Sequence, residues 1–124
     1  MALDLQKGMA TTMEFGQRLT NLREEKEIYQ KELAAYLNVS IGTISNYENG
    51  VHFPDLVTLC QIADYFEVTT DYLLGRTPYR FNPSTLARPI TKDFSVADFL
   101  HTTLSLSQRD MSSLMDYIEF LKHR

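Results

Sequence analysis

The chain has a single cysteine, Cys60, among its 124 residues. One thiol excludes an internal disulfide and suits a reducing compartment. No run approaches the roughly 18 apolar residues of a membrane span. The opening stretch, MALDLQKGMATTM, lacks both a long apolar core and a cleavage site. It reads as a flexible arm over residues 1–13, not a signal peptide, and the expected location is the cytoplasm. Glycines number five and are scattered, so no Gly-rich loop cradles a phosphate. Strand signals are sparse, and neither repeats nor low-complexity tracts occur. His52, His101 and His123 lie apart, with no Cys or carboxylate at ligand spacing, and no metal site is expected. No Ser, His and Asp stand together in a nucleophile context. Enzyme chemistry and bound cofactors are left without a carrier, so neither is expected.

What is present concentrates in residues 30–50, QKELAAYLNVSIGTISNYENG. Leu33, Ala34 and Leu37 share one face of a helix, and Ile44 and Tyr47 share one face of the next. Between them Asn38 forms the turn, Val39 plugs its inner side, and Ser40 caps the second helix. Two helices that cross steeply must approach closely, and Ala34 is small enough to allow it. Asn49-Gly50 ends the second helix, with Gly50 free to adopt the left-handed conformation. This is the shape of a helix-turn-helix, whose second helix enters the DNA major groove.

The pattern extends on both sides. Phe15, Leu19 and Leu22 form an apolar face upstream. Downstream, Pro54 and Asp55 open a helix with an apolar stripe at Leu56, Leu59, Cys60, Ala63 and Phe66. That stripe makes Cys60 a core thiol rather than a redox sensor. A short helix from Thr70 to Leu74 follows, ended by Gly75. The motifs GQRLTNLREEKEIYQKELAAYLNVSIGTISNYENG and IADYFEVTTDYLLG, with the Pro and Leu between them, make residues 14–77 resemble the phage-repressor-like (Cro/C1, XRE-type) helix-turn-helix family. The order and the spacing both match, over about half the chain.

That resemblance implies a five-helix DNA-binding domain over residues 14–77. It places Ile41, Gly42, Thr43, Ser45 and Asn46 where base edges are met. Asn46 offers an amide that can bond adenine in bidentate fashion. Thr43 brings a hydroxyl for a base or phosphate and a methyl for thymine. Ser45 either reads a base or points along the groove wall. Ile41 either meets a thymine methyl or plugs the fold. Gly42 has no side chain to read with, and suits close approach of its backbone to phosphates. Gln30, Ser40 and Asn49 match phosphate-contact positions. Tyr47 either donates its hydroxyl to a phosphate or is wholly core. Lys31, Arg18 and His52 are rim candidates, whereas Glu32 and Glu48 are expected to be structural, Glu48 pairing or capping within the fold.

Charge pulls the other way. The chain carries −4 overall, and Ser40 to Gly50 contains no Lys or Arg. Phosphate contacts supply most non-specific affinity and need cations. The expected binder therefore relies on dimerisation, neutral hydrogen bonds and helix N-termini.

After Gly75 the composition shifts. Pro78, Pro83 and Pro89 mark residues 78–94 as a linker or extended strap, from which Tyr79, Phe81 and Leu86 can pack back onto the domain. Helix signals return with Ser95 and Asp98, then with Ser107 and Asp110. The first helix carries Val96, Phe99 and Leu100. The second shows a stripe of Met111, Leu114, Met115, Ile118 and Leu121, and Lys122, His123 and Arg124 suit its C-terminal end. Residues 95–124 thus form a helical hairpin whose apolar face needs cover. A second copy of the chain is the foremost occupant, its own domain the second, another protein the third. The overall expectation is an all-α, dimeric, sequence-specific transcriptional regulator, more in the manner of a repressor, bound to double-stranded DNA at a near-palindrome. The alternative is a protein-interaction module, such as an antitoxin or regulator subunit, using its C-terminal helices to hold a partner.

Overall fold

A computed structural model describes residues 11–124. The expected arm over residues 1–13 lies, up to residue 10, outside the described residues; Thr12 and Met13 already belong to the first helix. The chain divides into two compact units, which meet after Pro83.

The first unit holds five helices: α1 (Thr12–Glu25), α2 (Gln30–Leu37), α3 (Ile41–Glu48), α4 (Leu56–Phe66) and α5 (Thr70–Leu73). Most begin on a side-chain cap that satisfies a free N–H. Thr11 accepts from Glu14 N, Ser40 from Thr43 N, Asp55 from Thr58 N and Thr69 from Tyr72 N. At α2 the Glu32 carboxylate accepts from Tyr29 N–H at 3.3 Å. The helices end in left-handed residues. Gly50 and Gly75 serve as expected, at φ 76° and 73°, but Glu27, Asn38 and Glu67 also take φ between 55° and 58°.

The core draws on every helix. Phe15, Leu19 and Leu22 from α1 meet Leu33, Ala34 and Leu37 from α2, Ile44 and Tyr47 from α3, and Leu59, Ile62 and Ala63 from α4. Val68 and Leu73 close it, with Val39 half-buried at its edge. Burial of each large apolar side chain contributes about 1.5–3 kcal/mol.

Two expectations about α4 are corrected. Its buried face is Leu59, Ile62 and Ala63, whereas Leu56 is 80% exposed. Cys60 is exposed too, not a core thiol. The stripe lies one step further round the helix than its first apolar residue suggests, because α4 is apolar on more than one side. Tyr79 and Phe81 do not pack back either: they are 66% and 44% exposed.

The second unit is small. A 3₁₀ turn spans Pro83–Ala87, and β1 (Pro89–Thr91) pairs antiparallel with β2 (Phe94–Ser95) through an irregular register. The expected strap thus contains short regular structure, a minor departure from an otherwise all-α fold. Helix α6 (Val96–Leu104) starts in a capping box, with Ser95 Oγ accepting from Asp98 N and the Asp98 carboxylate accepting from Ser95 N. Helix α7 (Gln108–Lys122) is capped by Ser107. No residue from 84 to 124 is buried.

Candidate nucleic-acid interface

Helix α3 is anchored from behind by Ile44, which is fully buried, and by Tyr47. The 3.6-residue period then turns Ile41, Gly42, Asn46 and Asn49 to solvent, with Thr43 and Ser45 at the margins. Polar groups on this face differ in freedom. Thr43 Oγ1 lies 2.8 Å from Ser40 Oγ, which also accepts from Thr43 N at 3.0 Å. Asn49 Nδ2 donates to Ser45 Oγ at 3.2 Å. Asn46 makes no side-chain hydrogen bond among the described residues, so its amide is uncommitted. Ile41 is 52% exposed; of its two expected roles, the plug is removed. Gly42 has open space around it, its added Cβ meeting only Ser40 Oγ at 3.8 Å.

Tyr47 is buried, with its ring edge-on to His52 at 5.3 Å between centroids. Desolvation, with Asp55 nearby, pushes its phenol above the ordinary value, so the hydroxyl stays protonated at neutral pH. His52 itself is exposed.

Behind α3 sits an ion pair. Arg23 Nε and Nη2 donate to the two Glu48 oxygens at 2.7 and 3.1 Å. Arg23 Nη1 also donates to Ile28 O at 2.9 Å, and Gln30 Nε2 donates to Glu48 Oε1 at 3.1 Å. The side chains of Arg23 and Glu48 are only 14% and 5% exposed. The Glu48 hydrogen bond raises the Arg23 pKa above its usual value against desolvation, which lowers it. One carboxylate therefore joins α1, the start of α2 and the end of α3. Glu48 was expected to pair or cap; its partners, 25 and 18 residues away, carry no local sequence signal.

Gly16 is a second feature that sequence reasoning missed. A Cβ there would lie 2.5 Å from Glu48 O and 2.6 Å from Tyr47 O. Helix α1 approaches the end of α3 so closely that no side chain fits between them.

An open notch of about 470 Å³ separates the N-termini of α2 and α3, lined by Arg23, Tyr29, Gln30, Lys31 and Ile41. It gathers Gln30, Lys31 and Ile41 beside the exposed face. Arg18, expected at the rim, lies 5.9 Å from the Tyr72 ring of α5 instead. From Glu32 to Gly75 the chain has no Lys or Arg; Arg23 of α1 and Lys31 at the start of α2 line the notch beside the α3 face.

The helix-turn-helix domain family matches residues 16–77, half of the chain. The chain belongs to this helix-turn-helix family, in its phage-repressor-like, XRE-type branch. The transcriptional regulator ImmR of Bacillus subtilis is 41% identical over 64 residues, covering 52% of this chain and 50% of that protein. The transcriptional activator BcrR of Enterococcus faecalis is 42% identical over 63 residues, 51% of this chain and 31% of that protein. The phage CTXphi repressor RstR of Vibrio cholerae is 33% identical over 64 residues, 52% of this chain and 57% of that protein. The match spans between 31% and 57% of the length of these three relatives. A transcriptional regulator from Listeria innocua shares the fold at 22% identity, with a TM-score of 0.50 over 88% of this chain and 92% of that one.

In this helix-turn-helix chain, the residues Ser40, Ile41, Gly42, Thr43, Ser45, Asn46 and Asn49 fall on one continuous stretch of surface, with Gln30 across the notch. Tyr47 lies behind them. The residues expected to be covered by a second copy, Phe99, Met111, Leu114, Met115, Ile118 and Leu121, lie on α6 and α7 in the second unit, where Phe99, Met115 and Leu121 are exposed and Met111, Leu114 and Ile118 are half-buried. No helix among the described residues is long and apolar enough to cross a membrane.

Proposed function

We infer that this chain is a sequence-specific DNA-binding transcriptional regulator, acting in the cytoplasm as a homodimer and most simply as a repressor. The observation that carries this is the uncommitted Asn46 amide on the exposed face of α3, a helix held from behind by Ile44 and the Arg23–Glu48 pair. Base readout needs side chains whose hydrogen-bonding groups are not already used, on an element that does not move. Asn46 meets both conditions, flanked by Thr43 and Ser45 for base or sugar contact and by Ile41 for a thymine methyl. Gln30 keeps a second amide N–H beyond the one given to Glu48, available for a phosphate. Ser40 and Asn49 frame the helix, Gly42 lets the backbone come close, and the N-terminus of α3 favours an anion. Tyr47 supports the element more than it touches DNA.

The second copy is engaged through α6 and α7. A unit without a buried residue cannot bury enough surface to order itself, and Phe99, Met111, Leu114, Met115, Ile118 and Leu121 supply the missing apolar area when two copies meet. Two α3 helices then read half-sites about one helical turn apart. Among the similar proteins one is named an activator and another a repressor; occupation of a promoter is sufficient for repression.

The test is selection of bound duplexes from a random-sequence pool, with light scattering on the same preparation. An enriched inverted repeat and a dimeric mass support this function. A second reading, a protein-interaction module that holds a partner on α6 and α7, is favoured by the cation-free stretch from Glu32 to Gly75. No enriched sequence even at low salt would select it.

A further inference from the structure

Every glycine among the described residues but one answers a need of the fold. Gly50 and Gly75 sit at φ 76° and 73°. Gly16 lets α1 meet the end of α3, where a Cβ would lie 2.5 Å from Glu48 O. Gly42 is the exception. It stands in the first turn of α3 on ordinary helical backbone, it is exposed, and an added Cβ would meet only Ser40 Oγ, at 3.8 Å. Glycine weakens a helix relative to alanine, and neither packing nor backbone conformation requires it here. What a missing side chain still offers is close approach from outside. Gly42, Asn46 and Asn49 follow one another at i, i+4 and i+7, so they share one exposed ridge. Gly42 is a dip in that ridge, one turn before Asn46. Beside it stands Ile41, 52% exposed. The Ser40 hydroxyl is already taken up by Thr43, whose N and Oγ1 lie 3.0 and 2.8 Å from it. A phosphate in the dip would meet an apolar wall, and Ser40 to Gly50 holds no Lys or Arg to neutralise it. The apolar group on the major-groove edge of a base pair is the C5-methyl of thymine.

We propose that Gly42 and Ile41 together read a methyl group: the C5-methyl of a pyrimidine, thymine in ordinary DNA, seats over the Gly42 backbone and against the Ile41 side chain. This rests on the DNA-binding role proposed for α3 and adds what its N-terminal end selects. Gly42 is then a specificity-determining residue without a side chain, acting through the room it leaves. Alanine would strengthen the helix and fill that room. Four residues of helix rise about 6 Å, and successive base pairs lie about 3.4 Å apart. The methyl therefore belongs to a base pair no more than about two steps from the one read by Asn46. The same dip accepts 5-methylcytosine, which carries its methyl at the same ring position, and gains nothing from uracil or cytosine, which have none.

The experiment uses the full chain and the duplex that the wild-type protein selects from a random-sequence pool. Each thymine of the half-site is replaced in turn by uracil, which removes the methyl and nothing else. At the sensitive position, cytosine and 5-methylcytosine are then compared, each paired with guanine. For the wild type, loss of the methyl should weaken binding about three- to fivefold, the worth of one buried methyl, and 5-methylcytosine should exceed cytosine by a similar factor. The position should lie within about two base pairs of the one whose preference Asn46→Ala relaxes. Gly42→Ala should raise the thermal midpoint, weaken binding to the selected duplex about tenfold, and bring the methyl's effect below about 1.5-fold. Ile41→Ala, at an exposed position, should keep the fold and also lose most of the methyl's effect. A half-site with no uracil-sensitive thymine near the Asn46 position overturns the proposal. So does a methyl effect undiminished in Gly42→Ala, even with weaker binding, because that result assigns Gly42 to the phosphates. A lower thermal midpoint in Gly42→Ala would give the glycine a role inside the fold and overturn it as well. Failure of the wild type to enrich any sequence overturns the DNA-binding role itself, and this inference with it, so the two failures separate at the first step.

Discussion

Glu48 shows how much one side chain can carry: it holds Arg23 and Gln30 together from a position with 5% of its side chain exposed. Removing one partner of a buried pair leaves the other charge uncompensated, at about 3–5 kcal/mol. Arg23 keeps its bond to Ile28 O, so Glu48→Ala should cost about 3 kcal/mol, near the low end of that range. Denaturant unfolding checks this, and Glu48→Gln should lose less because it retains acceptors. At the DNA face the roles divide. Asn46→Ala should lose about 1–3 kcal/mol and relax choice at one base pair, while Gln30→Ala should weaken all sequences alike. Affinities measured on a panel of single-base operator variants distinguish the two patterns. Cys60 is exposed, so a disulfide reagent should label the native protein about as fast as the unfolded chain. A labelling rate limited by unfolding would return the thiol to the core.

Helix starts were legible one by one, because a cap is a short-range device. Ser40, Asp55, Ser95 and Ser107 each accept from the N–H three residues on, and that spacing is written in the chain. Helix ends were less so. Gly50 and Gly75 announced themselves, but Glu27 and Glu67 adopt left-handed backbone inside Schellman closures, with Ile28 N–H donating to Arg23 O and Val68 N–H to Ala63 O, against their own preference. The face of α4 was also ambiguous, since LVTLCQIADYF supports two overlapping stripes and only packing chooses Ile62 over Leu56. Caps carry a pH signature. Hydrogen bonds from Thr58 hold the Asp55 carboxyl below its ordinary 3.8, and those from Ser95 do the same for Asp98. The unfolded chain therefore takes up protons first as pH falls. The contribution of these caps is complete above pH 3.8 and is lost as pH drops through the lower folded values. Thermal midpoints followed from about pH 5 to pH 2 should decline, and Asp98→Asn should decline less steeply. An unchanged slope in that variant would remove Asp98 from the account.

At the scale of the whole molecule, one unit closes its own core and the other does not. Among the described residues thirteen hydrophobic side chains are buried, and every one of them precedes residue 84. Meanwhile Met115, Tyr117, Phe120 and Leu121 on α7 stand between 41% and 59% exposed. Placing a charge in a face that two copies bury should separate them. Ile118→Asp is expected to shift the light-scattering mass from dimer to monomer and to weaken paired-site binding more than single-site binding. A mass that stays dimeric would move the contact elsewhere on the chain.

By itself the sequence determined what depends on neighbours within a few residues: the helix starts, the turn at Asn38 to Ser40, and the alternation that puts Ile44 inside and Asn46 outside. It also marked α7 as a helix with an apolar face in need of cover. Only the tertiary structure decided which residues meet across long stretches of chain. Arg23 finds Glu48, Gly16 admits the end of α3, and Arg80 reaches back to Glu25, and none of these pairings has a periodic or local signature. Backbone hydrogen bonds and caps act over one turn of helix, whereas packing couples residues by their position in space, and that position exists only once the helices have come together.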